Sequence, residues 1–179
     1  MNIFVLNEDT QACARAHVDA HVVKMILESV QMLCTAKRVS DGILYHDKTS
    51  NGRSIKRWLL QDDILETTLY KATHINHPCN VWLRESSENY WWLWSLAHDL
   101  SEEYTHRFGK VHKSSLLLPL LHDNPPCLKL KPRTPFSLAM PAKYKEPGDP
   151  IQSYRNYYAL DKAHLMKYTG RERPHWLKV

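Results

Sequence analysis

Only five glycines occur in the 179 residues, and they form no Gly-rich phosphate loop, so nucleotide-cradling folds are not expected. A Gly-x-Ser-x-Gly nucleophile elbow is missing as well. The four cysteines (Cys13, Cys34, Cys79, Cys127) include no close pair of the kind zinc ribbons and redox motifs need. They read as reduced thiols, at least three of them in apolar or helical stretches where Cys acts as a small hydrophobe. No apolar run is long enough for a membrane span, and the acidic residues in the first nine positions are unlike a secretory signal. A soluble, cytoplasmic protein is expected. Internal repeats and low-complexity segments are also missing.

Present instead is ample material for one core. Apolar residues make up 43% of the chain, with six Trp and nine Tyr, and 179 residues suit a single domain. Lys and Arg outnumber Asp and Glu by 24 to 19, and eleven histidines add charge as pH falls. A polyanionic partner fits this balance, although the excess is modest.

The pattern predicts an all-α fold: a compact helical bundle with a long central helix, a short extended N-terminal arm and a Pro-rich wrapping loop. The arm is Ile3-Phe4-Val5-Leu6. A helix is expected from about Thr10 to Ala36, with Thr10 as cap and Ala16, Ala20, Val23, Leu27, Val30 and Cys34 as its apolar stripe. From Lys37 to Arg57 the composition turns polar and basic and predicts a loop, followed by a shorter helix across Ile55, Trp58, Leu59, Leu65 and Leu69. Asn76-His77-Pro78 opens the central helix, which is expected to reach Phe108 and stop at Gly109. Its aromatic run from Tyr90 to Trp94 reads as packing. Eight of the ten prolines lie between Pro119 and Pro150, which excludes a long helix beyond Leu121 and predicts an ordered loop. A last helix is expected from Asp149 to Tyr168.

Beside the apolar stripe of the first helix lies a polar one. His17, His21, Lys24, Glu28 and Gln31 are spaced 4, 3, 4 and 3, so a continuous helix puts them on one face. His17 and His21 also have the i, i+4 spacing with which a helix offers two ligands to zinc. A third ligand (Asp19, His74, His77 or His112) is not fixed by the pattern, and no metal or other cofactor is expected.

A short extended N-terminus, a helix with His21 followed seven residues later by Glu28, Lys24 four residues before that Glu, and a later helix opened by Asn76-His77-Pro78 are found together in one family. The chain resembles the pyrimidine-dimer DNA glycosylase superfamily, the endonuclease V-type phage repair enzymes and their small bacterial relatives, over roughly residues 1–36 and 76–113. The resemblance implies an all-helical enzyme that everts a nucleotide from double-stranded DNA and cleaves its N-glycosidic bond, with Glu28 as the essential carboxylate. His21 and His17 would assist at the reacting base or hold flanking phosphates, with Lys24 beside them. In those repair enzymes the nucleophile is the α-amine of a threonine exposed by Met removal, whereas Asn2 follows Met1 here. Either Met1 carries the amine, or catalysis is not covalent, or the substrate has become a modified base or a free nucleotide.

Other residues suit phosphates. Arg107, Lys110, His112 and Lys113 cluster at the end of the central helix, Asn76, His77 and Arg84 lie at its start, and Arg155 stands among tyrosines on the last helix. A different enzyme acting on free nucleotides or modifying the base, and a non-catalytic nucleic-acid binder, are the competing readings.

Overall fold

A computed structural model describes residues 1–177. The chain is mostly helical but not purely so. In order along it lie α1 (Thr10–Ala16), α2 (Asp19–Asp41), β1 (Ile43–Lys48), β2 (Ser54–Leu59), α3 (Asp63–Thr68), α4 (Pro78–Leu83), α5 (Ser87–Phe108), α6 (Leu118–Asp123) and α7 (Pro150–Asp161). No helix among the described residues is long and apolar enough to cross a membrane.

Two long helices carry the core. Val22, Met25, Ile26, Val30 and Leu33 of α2 are buried with Leu93, Leu96, Ala97 and Leu100 of α5, and the two helices pack directly on each other. The N-terminal arm joins this core, with Ile3, Phe4, Val5 and Leu6 all buried. Gly109 ends α5 in the left-handed conformation (φ 64°), which a residue without Cβ adopts at no steric cost.

The helix expected from Thr10 to Ala36 is in fact two. His17 and Val18 are extended (ψ 140° and 156°), so the α1–α2 junction interrupts the helical hydrogen bonds. The polar groups this frees are met from distant parts of the chain. The Arg107 guanidinium donates to the carbonyls of Arg15 and His17 at 3.0 and 2.9 Å, and Val18 N–H donates to the Tyr158 hydroxyl at 2.9 Å. The expected central helix is likewise divided, because Ser86 caps α5 by accepting from Asn89 N–H at 3.1 Å.

The segment expected as a basic loop and then a helix corrects the all-α reading. α2 continues to Asp41, and β1 and β2 form an antiparallel hairpin with Ile43 opposite Leu59 and Lys48 opposite Ser54. Its turn includes Asn51-Gly52, with Gly52 at φ 78°, a recognised hairpin signal that the charge of the segment obscured. Arg38, assigned to that loop from its composition, is fully buried at the end of α2. Its five guanidinium N–H groups reach Tyr70 O, Trp58 O, Leu69 O, Glu66 O and the Glu66 carboxylate, tying β2 and α3 to α2.

The Pro-rich stretch is ordered by specific bonds: Thr134 N–H donates to Asn89 Oδ1 at 2.9 Å and Trp82 Nε1 donates to Thr134 O at 3.3 Å, while Phe136 is buried. The last helix stops at Asp161 rather than Tyr168. Its start is the expected one, with Asp149 accepting from Gln152 N–H and Pro150 in the first turn.

Candidate functional site

The break before α2 sets the orientation of its polar face. Glu28 lies at the wall of a cavity of about 520 Å³, with only 13% of its side chain exposed. Met1, Asn2, His21, Lys24, Tyr157 and Lys162 are among the residues around it. One Glu28 oxygen, Oε2, accepts from Asn2 N–H at 3.0 Å. The other, Oε1, is 3.6 Å from the Met1 α-ammonium and 3.5 Å from Lys24 Nζ. A carboxylate is thus held between two cations and a backbone donor, facing a space large enough for a small ring system.

The arm that delivers this amine is pinned. Asn2 Nδ2 donates to Ala139 O at 3.1 Å, and Asn2 Oδ1 accepts from the Tyr154 hydroxyl at 3.1 Å. Buried Asn80 donates from Nδ2 to Thr73 O and His74 O and approaches Met1 Sδ at 3.2 Å. The α-amine is therefore positioned by α4, α7 and the Pro-rich loop together. No local sequence signal marks Asn2, Tyr157 or Lys162 as neighbours of Glu28, because α7 reaches the site only through tertiary packing.

His21 lines the cavity, stacked on Phe4 with ring centroids 4.4 Å apart, and its Nδ1 is 2.9 Å from the Tyr158 hydroxyl. With Tyr158 donating, the ring proton sits on Nε2. Burial, with the nearby His17, Lys24, Lys162 and His164 adding to it, drives the His21 pKa down to about 3, so the ring is neutral near pH 7. It can donate or accept a hydrogen bond there but does not supply an imidazolium proton. His77, at the start of α4, is also lowered, chiefly by burial and then by the Met1 α-ammonium and His74, while Glu28 pulls the other way.

His17 does not join this face. The helix break turns it into the core, where Nδ1 lies 2.7 Å from Cys13 O and Nε2 has no partner. Burial lowers its pKa to about 4. The separation also removes the single-helix geometry behind the two-histidine metal reading, and no group of three His, Cys, Asp or Glu among the described residues is placed to hold a metal.

His17 gives the fold a pH dependence. Protons bind its ring more readily in the unfolded chain, so its contribution is complete above the ordinary histidine value of about 6.5 and is lost as pH falls through about 4. The full loss is worth about 3 kcal/mol. Urea midpoints measured from about pH 7 down to about pH 4 should fall steadily, and a flat profile would contradict the buried neutral ring.

Arg107, expected on a phosphate-binding surface, is instead fully buried at its side chain. It donates from Nε to Glu103 Oε1 at 2.6 Å and from an Nη to Asp19 Oδ1 at 3.0 Å, in addition to the two carbonyls at the α1–α2 junction. Glu103 also holds Arg171 at 2.8 Å, and Asp19 accepts from Thr169 N–H and Oγ1. This network fastens α1, α2, α5 and the C-terminal segment and leaves no guanidinium edge for DNA.

The remaining expected phosphate ligands lie outside the Glu28 cavity. Arg155 donates to Leu6 O and packs over Trp176 at 5.2 Å, and Arg84 donates to Ile75 O at 2.7 Å. His112 caps the following 3₁₀ turn by accepting from Ser114 N–H and packs edge-on to Tyr104, while Asn76, Lys110 and Lys113 are exposed. The cysteines Cys13, Cys34 and Cys79 are buried, and burial pushes their thiols up to about 12, 12 and 11, which disfavours thiolate chemistry.

Of the residues read from the sequence, the structure therefore brings Glu28, Lys24 and His21 together, with His77 close by. Comparison with protein-family models, with curated proteins and with solved structures returned no match.

Proposed function

We propose that the chain is an N-glycosylase-type enzyme that excises a damaged or modified pyrimidine everted from double-stranded DNA, with Glu28 as the catalytic carboxylate. The observation that supports this is the pairing of Glu28 with the α-amine and Asn2 N–H inside a cavity rimmed by Lys24 and Lys162. As the C1′–N bond breaks, the bonding pair leaves with the base and positive charge develops on the sugar. A carboxylate fixed beside C1′ stabilises that charge more than the neutral ground state, which is the requirement for catalysis. Water then adds to C1′, giving its proton to Glu28; the departing base takes a proton from solvent and Glu28 returns its own to solvent, so the water is divided between sugar and base. The neutral His21 Nε2–H would hydrogen-bond that base or the sugar, and Lys24 would hold a flanking phosphate.

The α-amine beside Glu28 offers a second route to the same products. Unprotonated, it adds to C1′ as the base leaves, and Glu28 takes the amine proton; the C1′–O4′ bond then breaks, O4′ taking up a proton, to leave an imine that borohydride reduces and water otherwise hydrolyses. Borohydride treatment during turnover separates the two routes: a covalent protein–DNA adduct is expected only for the amine route, and release of base without an adduct assigns the hydrolytic one.

The reading is tested by incubating the protein with duplexes bearing ultraviolet dimers, uracil or hypermodified pyrimidines and scoring free base by mass spectrometry. Base released by the wild type and lost in Glu28→Gln is the expected result. Turnover of free nucleotides with no release from any duplex would replace it with the nucleotide-acting alternative, and duplex binding without any turnover would leave a non-catalytic binder.

A further inference from the structure

The hairpin β1–β2 is not absorbed by the Glu28 site, yet its composition is unusual for a surface ornament. Residues 43–59 carry Lys48, Arg53, Lys56 and Arg57 against a single acidic residue, Asp47. Every residue of β1 is exposed, and β2 is only partly covered. Among the described residues, none of these four cations has a carboxylate within ion-pairing distance. The nearby acids are engaged elsewhere: Glu66 by Arg38 and Lys71, Asp41 by Lys37, and Asp62 by the start of α3.

The register sorts the hairpin into two faces, because residues directly opposite one another point the same way. His46 is opposite Lys56, Lys48 is opposite Ser54, and Leu44 is opposite Trp58, so one face carries two lysines, a histidine and an indole. His46 and Lys56, side by side on that face, both offer N–H donors to an anion. On the other face, Arg57 is opposite Tyr45 and Asp47 is opposite Ile55.

A cavity of about 690 Å³ runs beside β2. Gln31, Lys56, Arg57, Trp58, Lys71 and His74 are among its lining residues. Gln31 lies three residues beyond Glu28 on α2, about 4.5 Å of helix rise. His74 of this second cavity and Met1 of the first are both bonded by Asn80 Nδ2, through His74 O at 3.0 Å and Met1 Sδ at 3.2 Å, so the two cavities adjoin along α2 and the start of α4. At the foot of the hairpin, Arg38 bonds Trp58 O and makes the arm an anchored projection rather than a free loop.

We infer that the β1–β2 hairpin is a DNA-binding arm: Lys48 and Lys56, with Trp58 and Arg57 beside the adjoining cavity, hold the backbone of the duplex that flanks the nucleotide presented to Glu28. The choice of duplex DNA as occupant rests on the function proposed for the Glu28 cavity, and the charge and geometry of the arm stand without it. A two-stranded ribbon fits a DNA groove, and lysines on one of its faces meet phosphates with no need for sequence-specific contacts.

The test is binding rather than catalysis. Affinity for an undamaged labelled duplex is measured by fluorescence anisotropy across a salt series for the wild type and for the Lys48→Gln, Lys56→Gln double variant. Both side chains are exposed, and an unchanged urea midpoint verifies the fold of the variant. Each phosphate that is no longer neutralised by a lysine lowers the slope of log K against log salt by about 0.9, so the slope should fall by about 2 and affinity by about tenfold or more at low salt. An unchanged slope and affinity, or a wild type that does not bind duplex at all, overturns the inference. Because the duplex carries no lesion, absence of base release in the assay of function would sink the glycosylase reading without altering this result.

Discussion

Glu28→Gln should reduce base release by about 100-fold or more while leaving duplex affinity and the urea midpoint close to wild type. The substitution keeps the shape and the hydrogen-bond acceptor for Asn2 N–H but removes the charge that faces the developing cation. Stabilisation lost only in the transition state lowers kcat and kcat/KM together and leaves ground-state binding alone. The α-ammonium, 3.6 Å from Glu28 Oε1, and Lys24, at 3.5 Å, would lose an ion-pair partner, and both retain other support: Lys24 is largely exposed, and Met1 is held by the pinned arm. Single-turnover release from a substrate duplex, with affinity measured in parallel, checks this. A variant that turns over at the wild-type rate would remove Glu28 from the chemistry, and equal losses of activity and stability would make its role structural.

Arg107→Leu should cost about 3–5 kcal/mol of stability, the range for removing one partner of a buried ion pair. Glu103 and Asp19 would remain in the interior without their shared cation, and the carbonyls of Arg15 and His17 would lose their donors. Leucine recovers some of the packing volume but none of those bonds. Urea unfolding reads the loss as a shift in midpoint at constant slope. A contrasting result, in which stability is unchanged and duplex affinity falls, would return Arg107 to the phosphate-binding surface suggested by its place at the end of a helix. The same residue type at the same helical position can serve either purpose, and only the presence of Glu103 one turn earlier and Asp19 across the interface decides it.

Local chemistry was legible wherever one element satisfies its own requirements. Gly109 stops α5, and Asp149 and Pro150 open α7, because capping and backbone freedom act over a few residues. The stripe read from Ala16 to Cys34 is displaced, with Ala20, Val23 and Leu27 exposed and Val22, Met25, Ile26 and Leu33 buried instead, because the break at His17 and Val18 resets the helix that carries it. The spacing of His21, Lys24 and Glu28 survives intact, since all three lie on α2 after its start. His17 fell off that face because periodicity continues smoothly through a junction whose exposed backbone groups are met by Arg107 and Tyr158, 90 and 140 residues away. Nothing within a helical window reports such partners. The hairpin was hidden differently: its Lys and Arg content suggested a loop, while the Ile43-Leu44-Tyr45 run and the Asn51-Gly52 turn were the signals that would have found it.

The sequence by itself determined a largely helical chain with a substantial apolar core, one helix face bearing Glu28 with its basic neighbours, and an excess of positive charge. Tertiary structure alone decided that the α-amine and Asn2 meet Glu28, that Arg107 and Arg38 are interior fasteners, and that Lys48, Arg53, Lys56 and Arg57 lie on an exposed hairpin. The difference is one of range. Helical periodicity and caps are set by neighbours within a few residues, whereas the surroundings of a charge depend on which distant carbonyls, carboxylates and hydroxyls folding brings to it.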